Sequence, residues 1–233
     1  MATASRRSAS LVGMTAGRLA LAAVVGALVL AAAATSALSA SAVAPGAIFR
    51  VRPDLRMCPS PACGGLWVSR ANQASTTCAD GVVRRWCYVV GIDPASRRHL
   101  ILLRADRVSG LLVRGRIVRG GIPELRSLGR LVESEAWLAA TLTPWSGTVF
   151  LVSDTGVRCV RAPCFSLRIS TVNTVRTATA SGLDLSGVTA APALTRKAQA
   201  ALTGVGLLVA GTIRRGADGG RTVVATRFFL VTR

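Results

Sequence analysis

The 233-residue chain has a single histidine, His99, a single lysine, Lys197, and only ten acidic residues. Each scarcity removes a class of chemistry. A Ser-His-Asp hydrolase has only His99 to serve as base. That residue sits beside the apolar run Leu100, Ile101, Leu102 and Leu103, where a satisfied helix position explains it. A zinc site would depend on cysteines at unsuitable spacings, and a dithiol centre would want C-x-x-C rather than C-x4-C around prolines. Glu133 and Glu135 lie two apart on an expected strand and should share a face, but charge on a strand's solvent side accounts for them without glycosidase chemistry. Gly120-Gly121 and Gly219-Gly220 read as hairpin turns, not phosphate loops. No catalytic residue, metal ligand or cofactor site emerges, and the chain reads as non-enzymatic.

What is present begins with an export signal. Arg6, Arg7 and Arg18 precede an unbroken apolar run over residues 19–34, and Ala40-Ser41-Ala42 fits the small-residue pattern of signal peptidase. The expected leader is residues 1–42, cleaved after Ala42. An uncleaved anchor over 19–42 is the competing reading, and only then would the protein be held in a membrane. No cysteine lies near the cleavage point, which argues against a lipoprotein, and Arg6-Arg7 lacks the hydrophobic residues that follow a twin-arginine pair.

The leader holds three of the 29 basic residues and no acid, which leaves 26 basic against 10 acidic residues, a net charge near +16. Almost all the basic residues are arginine. Attraction to polyanions such as lipid headgroups, phosphate-bearing wall polymers or nucleic acid is one reading, and codon bias in a GC-rich genome is the other. Export argues against nucleic acid as the partner.

The chain also repeats itself. Phe49-Arg50-Val51 leads into Cys58, Cys63, Leu66, Ser69 and Asn72, and Phe150-Leu151-Val152 leads at the same spacing into Cys159, Cys164, Leu167, Ser170 and Asn173. Gly110-Leu111-Leu112-Val113-Arg114-Gly115-Arg116-Ile117 matches Gly206-Leu207-Leu208-Val209-Ala210-Gly211-Thr212-Ile213. Self-similarity at this offset makes half the chain the fold unit. The expected domains are 43–140 and 148–233, joined by a short linker at 141–147. Each half can therefore be tested against the other. Arg114 and Arg116 point to one strand face as a candidate polyanion contact, but Ala210 and Thr212 replace them in the second half. Asn72 and Asn173 occur in both halves and are expected to close a turn or bond the ring backbone.

Six cysteines in an exported chain imply disulfides. The second half has only Cys159 and Cys164, which must pair within an autonomous domain. Their counterparts Cys58 and Cys63 should do likewise, leaving Cys78 with Cys87 in a segment the second half lacks. Each bridge closes a short loop and contributes about 2–3 kcal/mol in the chain-entropy model.

Hydrophobic alternation and turn signals place strands at 47–52, 65–71, 85–92, 108–119 and 130–139, with a helix at 94–107. The second half repeats the order with strands at 149–153, 166–172, a weak one within 174–183, 205–214 and 221–231, and a helix at 190–202. The expected fold class is therefore mainly β (α+β), as two tandem duplicated small domains of about five strands and one helix each. Three strands, a helix and two strands fit an OB-like barrel or a split α+β sandwich equally.

The run from Cys58 through Gly64-Gly65-Leu66 to Asn72, followed by Cys78-Ala79-Asp80-Gly81 and Cys87-Tyr88-Val89, resembles an uncharacterised domain family of exported bacterial proteins and lipoproteins. Asp154-Thr155-Gly156-Val157-Arg158-Cys159-Val160-Arg161-Ala162-Pro163-Cys164 is similar to its second hallmark. Leu66 departs from the aromatic residue expected after Gly64-Gly65. The resemblance implies an exported module and brings no activity. Two function classes follow from the whole sequence. One is a secreted or envelope-associated module that binds a protein or polyanionic partner through exposed disulfide rings. The other is a secreted protease inhibitor that presents Arg161 from the ring 159–164.

Overall fold

A computed structural model describes residues 46–95, 110–120, 128–141 and 145–232. They belong to one compact unit, Ala44–Arg233. The expected leader and all but the start of the expected helix at 94–107, His99 included, lie outside the described residues.

The described chain is mainly β, with one helix. In the first half the strands are β1 (Ala47–Pro53), β2 (Leu66–Arg70), β3 (Thr76–Thr77), β4 (Val83–Arg84), β5 (Cys87–Asp93), β6 (Leu111–Arg119) and β7 (Gly129–Ala139). The second half has β8 (Thr148–Asp154), β9 (Leu167–Thr171), β10 (Thr177–Ala180), β11 (Gly182–Asp184), helix α1 (Pro192–Leu202), β12 (Leu207–Arg215) and β13 (Arg221–Val231). Pro192 opens α1, where a missing N–H costs nothing.

Strand pairing closes a ring in each half. β1 pairs β2, β2 pairs β5, β5 runs parallel to β7, β7 pairs β6, and β6 returns to β1. In the second half β8 pairs β9 and β9 pairs β10. The chain continues past Ser181 into β11, which runs parallel to β13; β13 pairs β12 and β12 returns to β8. Both rings place their only parallel pairing between the third and last strands.

Each ring carries a bulge at the same point. The register of β6 on β7 shifts between Arg114 and Gly115, and that of β12 on β13 between Ala210 and Gly211. Glycine is required there, because a Cβ on Gly115 would meet the Val132 carbonyl oxygen at 2.2 Å and one on Gly211 the Val224 oxygen at 2.1 Å. The bulge overturns the shared face expected of Glu133 and Glu135. Glu133 lies opposite Gly115 and Glu135 opposite Arg114, so the two carboxylates fall on opposite faces and Glu133 is buried.

Alternate residues fill the interior of each ring. Phe49, Val51, Val68, Val89, Val113 and Leu131 pack in the first, and Phe150, Val152, Ile169, Val209, Val223 and Phe228 in the second. A third cluster lies between them and draws matching positions from both: Ile48 and Val149, Ala71 and Val172, Leu112 and Leu208, Trp137 and Phe229. The last strands also pair, β13 to β7, with Phe229 opposite Ala139 and Val231 opposite Trp137. The two halves thus share one sheet and one buried seam.

Asn72 and Asn173 close that seam. Both adopt φ +59°, a left-handed conformation that asparagine tolerates better than most residues. Each stands in a turn, and its side chain reaches into the other half, not to a disulfide ring. Asn72 donates through Nδ2 to the carbonyls of Val149 at 2.7 Å and Val172 at 3.1 Å, and its Oδ1 accepts from the Val149 N–H at 2.8 Å. Asn173 returns the contact: Nδ2 donates to Ile48 at 2.7 Å and Ala71 at 2.8 Å, and Oδ1 accepts from the Ile48 N–H at 2.8 Å. Each amide thereby gives the first core residue of the opposite strand the two-point backbone contact of a neighbouring strand.

Asn72→Ala and Asn173→Ala should each cost about 2–4 kcal/mol, from three lost hydrogen bonds, stranded backbone groups and a Cβ-bearing residue left at positive φ. Asn72→Asp should cost at least as much at neutral pH, because it turns a carboxylate oxygen toward two carbonyls. Urea unfolding followed by tryptophan fluorescence measures both; a loss under about 0.5 kcal/mol for all three variants contradicts the seam.

Candidate functional site

The three disulfides join Cys58 to Cys63, Cys78 to Cys87 and Cys159 to Cys164. The second closes a loop that holds the turn and β4 of the small β3–β4 hairpin, which lies outside the main sheet. The other two close the rings that follow the first strand of each half. These rings and the adjoining outer faces of β2 and β9 form the candidate site.

In the first half the site fills itself. The buried Asp54 carboxylate accepts from the Arg56 N–H, from Arg56 Nε at 2.9 Å and Nη2 at 2.9 Å, and from Trp67 Nε1 at 3.3 Å. Arg56 also donates to the Ala62 carbonyl inside the ring, at 3.0 Å. The Arg56 hydrogen bond holds the Asp54 carboxyl down at about 2, against the opposing effect of burial. Tyr88 donates its hydroxyl to the Pro61 carbonyl at 3.0 Å and accepts from the Gly65 N–H at 3.0 Å. A Cβ on Gly65 would meet the Val89 carbonyl oxygen at 2.3 Å and the Tyr88 hydroxyl at 2.6 Å, so this approach requires glycine. Trp67 and Tyr88 meet edge to face at 5.5 Å, with the Arg56 guanidinium 5.0 Å from the indole and 5.3 Å from the phenol ring. Ring, aromatic pair and arginine form one block.

The second half braces its ring differently. Asp154 accepts from the Gly156 N–H at 2.7 Å and from both terminal nitrogens of Arg158. The Arg158 hydrogen bonds bring its carboxyl to about 2. The adjoining face is open. Arg168 stands where the first half has Trp67, opposite Thr179 on β10, and Ser170 stands opposite Thr177. These residues, with Ala178 and Arg221, line a shallow cavity of about 550 Å³. Ring 159–164 lines a second groove with Ser181 and Asp218.

Arg161 is exposed on its ring, beside a Val160 side chain that is fully exposed at 102%. Arg114 is committed elsewhere: its Nε lies 3.3 Å from Glu135, its guanidinium lies over the Trp137 ring, and only 12% of the side chain is exposed. Of the expected basic pair only Arg116 faces solvent. Among the described residues no group of His, Cys, Asp and Glu side chains is placed to hold a metal ion. Missed from sequence were Arg50, Arg52 and Arg56, which lie over Trp145, Trp86 and Trp67. The exchange of Trp67 for Arg168 between halves was the available signal for the open face.

Asp54 and Asp154 titrate in the fold near 2, below their ordinary 3.8, so their ionised forms stabilise it. That stability is complete above about pH 4 and is lost as pH falls toward about 2. Denaturation midpoints across this window should therefore fall more steeply for the wild type than for an Asp54→Asn/Asp154→Asn variant; parallel curves would refute the assignment.

Comparison with curated proteins and with solved structures finds no match. The match to a protein family is broad, over residues 47–233, and covers both rings and every described strand. The chain belongs to the family described as a domain of unknown function, DUF6748.

Proposed function

We propose that the protein is a secreted or envelope-associated, non-enzymatic module that binds a protein or polyanionic partner, and that its mature part is two tandem copies of an OB-type unit. Support for the unit comes from the strand order, first-second-third-fifth-fourth and back to first, which closes a ring in each half. α1 falls between the third and fourth strands of the second ring, where an OB unit carries its helix. Three disulfides fit an oxidising compartment. No helix among the described residues is long and apolar enough to cross a membrane.

The carrying observation is the form of the two rings. Val160, within the ring 159–164, and Met57, immediately before the ring 58–63, are fully exposed, at 102% and 101%, and the rings are closed by disulfides and braced by Asp54–Arg56 and Asp154–Arg158. Apolar and basic groups held on a rigid loop lose little entropy on binding, which suits recognition. Passage over immobilised heparin at about 50 mM salt tests the polyanionic form, with retention expected and elution as salt rises. Failure to be retained removes it.

Exposure of Val160 and Arg161 on a closed six-residue ring also supports the second reading, a protease inhibitor presenting Arg161 to a trypsin-like pocket. A trypsin assay with Arg161→Ala as control decides it. Inhibition at micromolar protein that the substitution abolishes would establish the reading, and full trypsin activity would end it.

A further inference from the structure

The comparison between halves locates the polyanion contact, on the reading that the protein binds one. We infer that the outer face of β9 and β10 is a binding face for a linear polymer of phosphate or sulfate esters, with Arg168 and Arg221 as its principal contacts. The corresponding first-half face is spent internally, with Trp67 opposite Tyr88 and Arg56 laid over both rings. In the second half Arg168 replaces the tryptophan and Thr179 the tyrosine, and the face is left open.

Three features define what it accepts. Arg168 is exposed and Arg221 half-buried, and neither has a carboxylate within ion-pair distance among the described residues; Arg176, in the β9–β10 turn, is exposed and likewise unpaired. Guanidinium groups without an internal carboxylate suit bidentate pairing with phosphate or sulfate. Second, Ser170, Thr177 and Thr179 line the same cavity as the arginines and offer hydroxyls to ester oxygens or to a polyol backbone. Third, no aromatic side chain lines it. Phe165 lies against the Arg221 guanidinium at 5.7 Å but does not line the cavity. Bases of a single-stranded nucleic acid need such rings to stack on, so the face favours an anionic polymer whose charge, and not its rings, is recognised.

Arg221 is also well placed mechanically. Its backbone exchanges hydrogen bonds with Ser181, N–H to Oγ at 3.0 Å and Ser181 N–H to its carbonyl at 2.7 Å, which fixes β13 beside the end of β10. Along β10 and just beyond it the order is therefore Thr177 with Ser170, Thr179 with Arg168, and Ser181 with Arg221, which sets the two arginines at successive steps with hydroxyls beside them.

The test is titration of the full mature chain with a heparin oligosaccharide at several salt concentrations, repeated with a purified poly(glycerol phosphate) and with oligo(dT). The two anionic polymers should bind the wild type, and oligo(dT) of equal length at least tenfold more weakly. Arg168→Gln/Arg221→Gln should weaken heparin binding at least tenfold and flatten the slope of log K against log salt by about 1.5, the share of two ester contacts. Arg114→Gln/Arg116→Gln should leave both unchanged. Arg168→Gln alone, at an exposed position, should weaken binding severalfold and covers the case in which the double variant does not fold. A wild type that binds neither heparin nor poly(glycerol phosphate) overturns the polyanion function itself. Heparin binding that survives Arg168→Gln/Arg221→Gln leaves that function standing and overturns this placement, as does tighter binding of oligo(dT). Binding of only one of the two anionic polymers identifies the ester.

Discussion

Everything in the described structure depends on the seam that Asn72 and Asn173 close. Neither half could expose Ile48, Leu112 and Trp137, or Val149, Leu208 and Phe229, to water without cost; each set is buried only because the other covers it. Hydrophobic burial is non-directional and cannot fix how two halves register. The asparagines supply direction. Each reads the backbone N–H and C=O of one residue in the opposite first strand, and a slip of one residue would break both contacts. β7–β13 pairing then carries one ring's hydrogen bonding into the other and leaves no unprotected edge on those two strands at the join. The fold behaves as one body, although its sequence reads as two.

The arginine excess divides along the same line. All four tryptophans carry a guanidinium over the ring, from Arg50, Arg52, Arg56 and Arg114, and these arginines belong to the first half. Each such contact contributes about 0.5–2 kcal/mol, with the larger value where the pair is desolvated. Burial pushes the Arg50 guanidinium below its ordinary value, the mark of a cation held in the fold and withdrawn from solvent. Part of the positive charge is therefore structural, and a net figure for the chain overstates what is available to a partner. Among the described residues Arg168 and Arg176 have no such use, and Arg221 lies over Phe165 alone, at 5.7 Å.

Much of the fold was legible. Alternation of apolar residues placed the main strands within three residues, because burying one strand face leaves a period of two in the sequence. The cysteines could be paired because the second half contained too few to permit anything else. What failed has a physical cause in each instance. Glu133 and Glu135 were assigned one face because a bulge changes side-chain direction without changing composition; Gly115 and Gly211, present in both halves, were its only trace. The asparagines were legible as conserved between halves but not as a seam, since a hydrogen bond over 77 or 125 residues of chain leaves no local pattern. Arg227 gave no warning. It is 1% exposed, and among the described residues its Nε and Nη2 make no hydrogen bond, where its first-half counterpart, Glu135, pairs with Arg114.

That pair of positions shows how the two halves have been allowed to differ. Residues that build the rings and the seam match across the chain, because changing one would break a contact made by both. Positions on the outer faces carry no such constraint, and there the halves diverge in opposite directions. The first half has closed its face with Trp67, Tyr88 and Arg56, converting a surface into packing that steadies the ring 58–63. The second half has removed the aromatic pair, kept the ring, and left arginines and hydroxyls facing water. Packing gained on one side frees the other from contributing to stability, and a surface freed in that way can keep unpaired cations that a lone domain of about 90 residues, with its thin margin, would have to neutralise.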